Sequence, residues 1–169
     1  MEIRKLLSNI DEVASIWAGI RLKDIKFEYI KFTHNKYDNI FAELLIAKAD
    51  QFKSFSEAFL ILYKKYIVDG EEWDDNEEIT KDEWKNSLEK FVIPTYFRLK
   101  YDRDMSENDF WKRFLEDMDF LSVDKNWVDN FIKRNRHLKT YIMDEYSICK
   151  NIFGASEDVY FIYDFFAGD

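Results

Sequence analysis

Glycine and proline are nearly missing: four glycines and one proline in 169 residues, against roughly 12% for the two together in ordinary globular chains. Tight hairpins and sandwich corners draw on those residues, so the shortage speaks against an all-β fold. A single cysteine, Cys149, excludes an internal disulfide framework and a cysteine-ligated zinc site. No uncharged stretch nears the roughly 18 residues of a membrane span, and the opening MEIRKLLSNIDEV has no apolar run of signal-peptide length. The expectation is a cytoplasmic protein without membrane contact. The glycines are scattered, which leaves no Gly-rich loop to cradle a phosphate.

What is present is apolar and aromatic. Hydrophobic residues make up 47% of the chain and aromatic ones 18%, too much for a disordered segment. A chain of this length buries roughly 70% of the surface its unfolded form exposes. The reading is an all-α fold over residues 1–169, a single helical domain of roughly seven helices with an acidic loop, 69–79, between two sub-bundles.

The spacing places an opening helix up to about Ile20. Ile25 to Phe32 alternates with charges like a strand but also suits a helix. With no convincing partner strand elsewhere it reads as helix. THNKYD is a turn, and a helix is expected from about Asn39 to Phe52. Ser54 and Glu57 form a capping box for the next helix, ending near Gly70. Thr80 with Glu83 repeats that signature, and Pro94 closes the helix it opens. Ser106 with Asp109 starts another, flanked by Met105 and Phe110 as a hydrophobic staple. Ser122 or Asp124 begins the last long helix, bent at Lys133 to His137 and ended by Gly154. Ser156 caps a final short one.

No constellation of catalytic type stands out. His34 lies in the polar turn and His137 among KRNRHLK. Small RNases of the HEPN type pair an Arg with a His about five to seven positions later on one helix, whereas Arg134 and Arg136 precede His137 by three and one and Arg21 precedes His34 by thirteen. Neither histidine has a glutamate three residues before it, as helical di-iron sites require. Asp102 to Asn108 imitates the start of an EF-hand, yet Glu107 stands where glycine is needed and Arg113 where the bidentate glutamate belongs. Cys149 reads as a buried, inert thiol. Lys133, Arg134, Arg136 and Lys139 read as a solvated basic face. No cofactor, metal ion or catalytic residue is assigned.

Charge is where the sequence is unusual. From Asp69 to Glu83 there are nine acidic residues and one base, Lys81, a local charge of −8 where the whole chain carries −9. So acidic a segment repels nucleic acid and anionic lipid and attracts a basic protein. Trp73 sits in its middle, and tryptophan is enriched among interface hot spots. The candidate partner-binding residues are therefore Asp69, Glu71, Glu72, Trp73, Asp74, Asp75, Glu77 and Glu78. In size, acidity, helicity and lack of catalytic motif the chain resembles bacterial immunity proteins. That likeness of type implies a non-enzymatic inhibitor, monomeric, in a one-to-one complex with a basic cognate toxin such as a nuclease. Two alternatives are a mobile-element nucleic-acid mimic that blocks a host defence nuclease, and a ligand-binding protein or enzyme with a site that follows no motif.

Overall fold

Strand pairing organises the chain. The computed structural model describes residues 10–70, 86, 104–146 and 149–168. In chain order the elements are α1 (Ile10–Gly19), β1 (Phe27–Thr33), β2 (Ile40–Lys48), α2 (Phe55–Gly70), β3 (Asp104–Met105), α3 (Glu107–Phe120), α4 (Lys125–Arg134), β4 (Lys139–Tyr146), β5 (Cys149–Ala155) and β6 (Val159–Ala167). The strands form one sheet in the order β1-β2-β6-β5-β4-β3, antiparallel throughout. The expected all-α bundle is thus overturned: this is an α+β fold. The expected helices over 25–32, 39–52, the second half of 122–154 and the segment after Ser156 are strands β1, β2, β4 with β5, and β6.

The physical reason lies in how the sheet is covered. Helices α1 and α2 bury Ala14, Trp17, Phe59 and Leu62 on one face, against Leu45, Ala47, Phe153 and Ile162. Helices α3 and α4 bury Phe110, Phe114, Met118, Val128 and Phe131 on the other, against Ala42, Leu44, Phe161, Tyr163 and Phe165. A strand buried on both sides loses the apolar–polar alternation that marks a strand in sequence. FAELLIA in β2 and YFIYDFF in β6 therefore carry apolar residues in runs, and such runs also satisfy helical spacing.

Hairpins form here with little glycine. The β5–β6 turn is closed by Ser156, whose hydroxyl accepts from the Asp158 and Val159 backbone N–H groups at 3.3 and 3.1 Å. After α3 and α4 the chain turns at Ser122 and His137, with φ of 57° and 60°, left-handed positions that glycine usually fills. Gly154, expected to end a helix, instead lies in β5 directly over Phe161. A side chain there would drive into that ring.

The helix starts follow their sequence signatures. Glu57 N–H donates to Ser54 Oγ at 3.2 Å, Asp109 N–H to Ser106 Oγ at 3.1 Å, and Trp127 N–H to Asp124 Oδ1 at 2.9 Å. Helix α2 continues through Asp69 and Gly70, so the segment expected as a loop from 69 begins as helix. Of the helix expected from Thr80 to Pro94, Asn86 alone is among the described residues, and it is helical.

Candidate functional site

Of the residues singled out for partner binding, Asp69 is in the last turn of α2. Glu71, Glu72, Trp73, Asp74, Asp75, Glu77 and Glu78 lie outside the described residues. The end of a helix carries the negative pole of its dipole, and cations stabilise it there. The last turn of α2 holds no base. The acidic stretch therefore continues from a helix end that is already negative.

One turn before Asp69, Tyr66 enters a polar cluster beneath α2. Its hydroxyl donates to Asp164 Oδ2 on β6 at 3.2 Å. Asn151 on β5 closes the triangle. With its amide nitrogen toward the carboxylate it lies 2.6 Å from Asp164 Oδ1, and its oxygen is 3.1 Å from Tyr66 Oη. Burial pushes the Asp164 carboxyl up to about 6; the Tyr66 hydrogen bond pulls it down and the Glu43 charge adds to the rise. Burial likewise raises Tyr66, helped by the negative charge of Asp164. Glu43 itself pairs with Lys31 at 3.0 Å. The sequence carries one signal of this cluster: Asp164 is a lone charge inside the apolar run YFIYDFF.

The opposite face repeats the chemistry with roles exchanged. Tyr163, next in β6, donates to Asp117 Oδ2 on α3 at 2.8 Å. Arg113 Nε donates to both carboxylate oxygens, at 3.0 and 3.3 Å. Burial raises the Asp117 carboxyl, while the Tyr163 hydrogen bond and the Arg113 charge lower it. Tyr163 is raised by burial and by the charge of Asp117. A lysine is also buried: Lys64 donates from α2 to the Trp17 and Ile20 carbonyls at 2.6 and 3.1 Å. Burial lowers it to about 8.

A cavity of about 380 Å³ opens between α4 and the β1–β2–β6 corner. Ile30, Ile46 and Val159 of the sheet, Trp127 and Phe131 of α4, and the charged side chains of Glu28, Arg134 and Asp158 line it, with Asn130 and Asn135. The indole of Trp127 is fixed by Phe131, stacked at 5.2 Å and 8°, and by Phe32, edge-on at 4.8 Å. No spacing in the sequence announces this site, because its residues come from four elements.

The remaining sequence candidates are dispersed. His34 lies between the rings of Tyr37 and Phe120, at 5.1 and 5.0 Å, and its Nδ1 accepts the Lys36 N–H at 3.1 Å. His137, Lys133, Arg136 and Lys139 are exposed. Cys149 opens strand β5, where a helical face was expected. Ser106 caps α3. Among the described residues no three His, Cys, Asp or Glu side chains converge as metal ligands, and no helix is long and apolar enough to cross a membrane. No protein-family model, curated protein or solved structure matches this chain.

Proposed function

We propose that this protein is a non-enzymatic inhibitor of the immunity type, which neutralises a basic partner such as a nuclease toxin through the acidic stretch that leaves α2. The observation that carries the reading is the concentration of charge: −8 of the chain's −9 lies between Asp69 and Glu83. Its continuation from a helix end without a base deepens the local negative potential. Carboxylates at that pole reduce helix stability, by roughly 0.3–1 kcal/mol each at an exposed end. A basic partner would relieve that repulsion on binding. Such a field accelerates encounter with a cationic surface and turns away acidic ones, and Trp73 would supply an apolar anchor within it.

The test begins with a tagged pull-down from the native cell, eluted with high salt and identified by mass spectrometry. One basic protein retained at one-to-one stoichiometry is the expected result. Association is then timed for the wild type and for a variant with Glu71, Glu72, Asp74 and Asp75 changed to Lys. The quartet should slow association at low salt by about 10-fold or more. Unchanged on-rates, or a partner held equally by both proteins, would discard the reading. Retention of many nucleic-acid-binding proteins would point instead to mimicry.

A further inference from the structure

The cavity under α4 holds charges of both signs that no other described residue engages. Elsewhere the structure pairs comparable groups, Lys31 with Glu43 and Arg113 with Asp117. Glu28, Arg134 and Asp158 line one cavity, and all three are exposed. Yet no ion pair or side-chain hydrogen bond engages any of them among the described residues. Arg134 suits the negative end of the α4 dipole, which accounts for its place in the helix and gives it no carboxylate.

The surroundings of these charges are firmly held. The Asp158 carbonyl accepts from Ala49 N–H at 2.8 Å, and its own N–H donates to Ser156 Oγ. Asn135, which follows Arg134, is buried and donates to the Phe131 carbonyl at 2.8 Å. Ser156 Oγ lies 3.4 Å from Asn135 Oδ1, joining the two sides of the rim. Glu28 sits in β1 opposite Ile46 of β2. The backbone around all three charged groups is thus set before any ligand arrives, the condition under which little binding energy goes into ordering the site.

We infer that this cavity binds a free α-amino acid with an apolar side chain, its ammonium between Glu28 and Asp158, its carboxylate on Arg134 and its side chain over Ile30, Ile46 and Val159. The argument is one of complementary chemistry. A hydrocarbon alone would desolvate three charges without replacing their water. A simple cation would leave Arg134 unanswered, and a simple anion would face two carboxylates. A zwitterion with an apolar body meets every class of group in the lining, and a guanidinium grips a carboxylate through two parallel hydrogen bonds. The volume, about 380 Å³, is near the small end of the roughly 300–1,000 Å³ typical of small-molecule sites, which suits a ligand of amino-acid size.

The cavity shares no residue with the acidic stretch, so this inference and the proposed inhibitor role stand or fall separately. The experiment titrates the full chain with L-phenylalanine, 2-phenylethylamine and 3-phenylpropionate. Binding is followed by calorimetry and by the indole N–H resonance of Trp127, assigned with a Trp127→Phe variant. L-Phenylalanine should bind saturably at one site and shift that resonance, while each analogue, lacking one charge, should bind at least about 10-fold more weakly. Arg134→Gln should erase the advantage of phenylalanine over phenylethylamine. Glu28→Gln with Asp158→Asn should erase its advantage over phenylpropionate. All three positions are exposed, and the analogue series on the wild type needs no variant. Equal binding of the three compounds, or no shift of the Trp127 resonance up to about 10 mM phenylalanine, would overturn the inference.

Discussion

Neighbouring residues of β6, Tyr163 and Asp164, point to opposite faces of the sheet, and each finds its complement on a helix. Tyr163 meets an aspartate of α3; Asp164 meets a tyrosine of α2. The two pairs are chemically the same but differ in their third member. Asp117 has the Arg113 guanidinium, whereas Asp164 has the Asn151 amide and, nearby, the like charge of Glu43. A carboxylate shielded from water is tolerated in both places, buried at Asp117 and half-buried at Asp164, and the surroundings decide at what pH it holds its charge. On the α3 side a cation opposes the effect of burial. On the α2 side nothing cationic among the described residues touches the carboxyl, and it titrates at about 6.

The contrast can be tested from either side. The largest effect is expected from Asp164→Asn. A carboxyl whose folded pKa lies above its ordinary 3.8 stabilises the fold fully below that ordinary value and loses the contribution as pH rises through about 6. This gap is worth roughly 3 kcal/mol. Urea unfolding of the wild type should therefore show stability falling between about pH 4 and 6. The amide variant should lack most of that fall and exceed the wild type at pH 7 by about 2 kcal/mol. An identical pH profile in both would show that Asp164 does not titrate there.

Next in size, Arg113→Met would make the α3 side resemble the α2 side. Breaking a buried ion pair costs about 3–5 kcal/mol. With the arginine side chain 35% exposed, screening reduces the expected loss to about 2 kcal/mol at neutral pH. The loss should shrink in acid, as Asp117 takes up a proton. A pH-independent loss would mean that the side chain acts through packing, for instance against the Phe165 ring. The smallest effect is expected from Tyr66→Phe, about 1 kcal/mol for one hydrogen bond. Because that bond favours the ionised form, the Asp164 carboxyl should move further up, as read by NMR titration.

The helix starts were legible in the sequence because a cap is local chemistry: Ser54, Ser106 and Asp124 sit within three residues of the N–H groups they satisfy. The turn expected at Thr33 to Asp38 was legible for the same reason, except that Thr33 still belongs to β1. The sheet was not, since nothing within nine residues of β2 tells that its partner is β6. The low glycine count misled as well. Ser122 and His137 adopt the left-handed conformations, and the Ser156 hydroxyl closes a hairpin, so turns were present without their usual residues. At the cavity, Trp127 and Phe131 show as an apolar helical stripe and Arg134 as part of a basic run. Only the register that brings Glu28 and Asp158 beside them makes a site.

The pairing of β2 with β6, Ile40 against Ala167 and Lys48 against Val159, has a consequence for how the protein is made. During synthesis β1 and β2 can form a hairpin early, but one edge of that hairpin stays open until the segment from Val159 onward has left the ribosome. Contacts of such sequence separation fold slowly, and an open apolar edge invites association with other chains meanwhile. Chain terminated before β6 should consequently be captured by chaperones or aggregate rather than accumulate as a folded fragment.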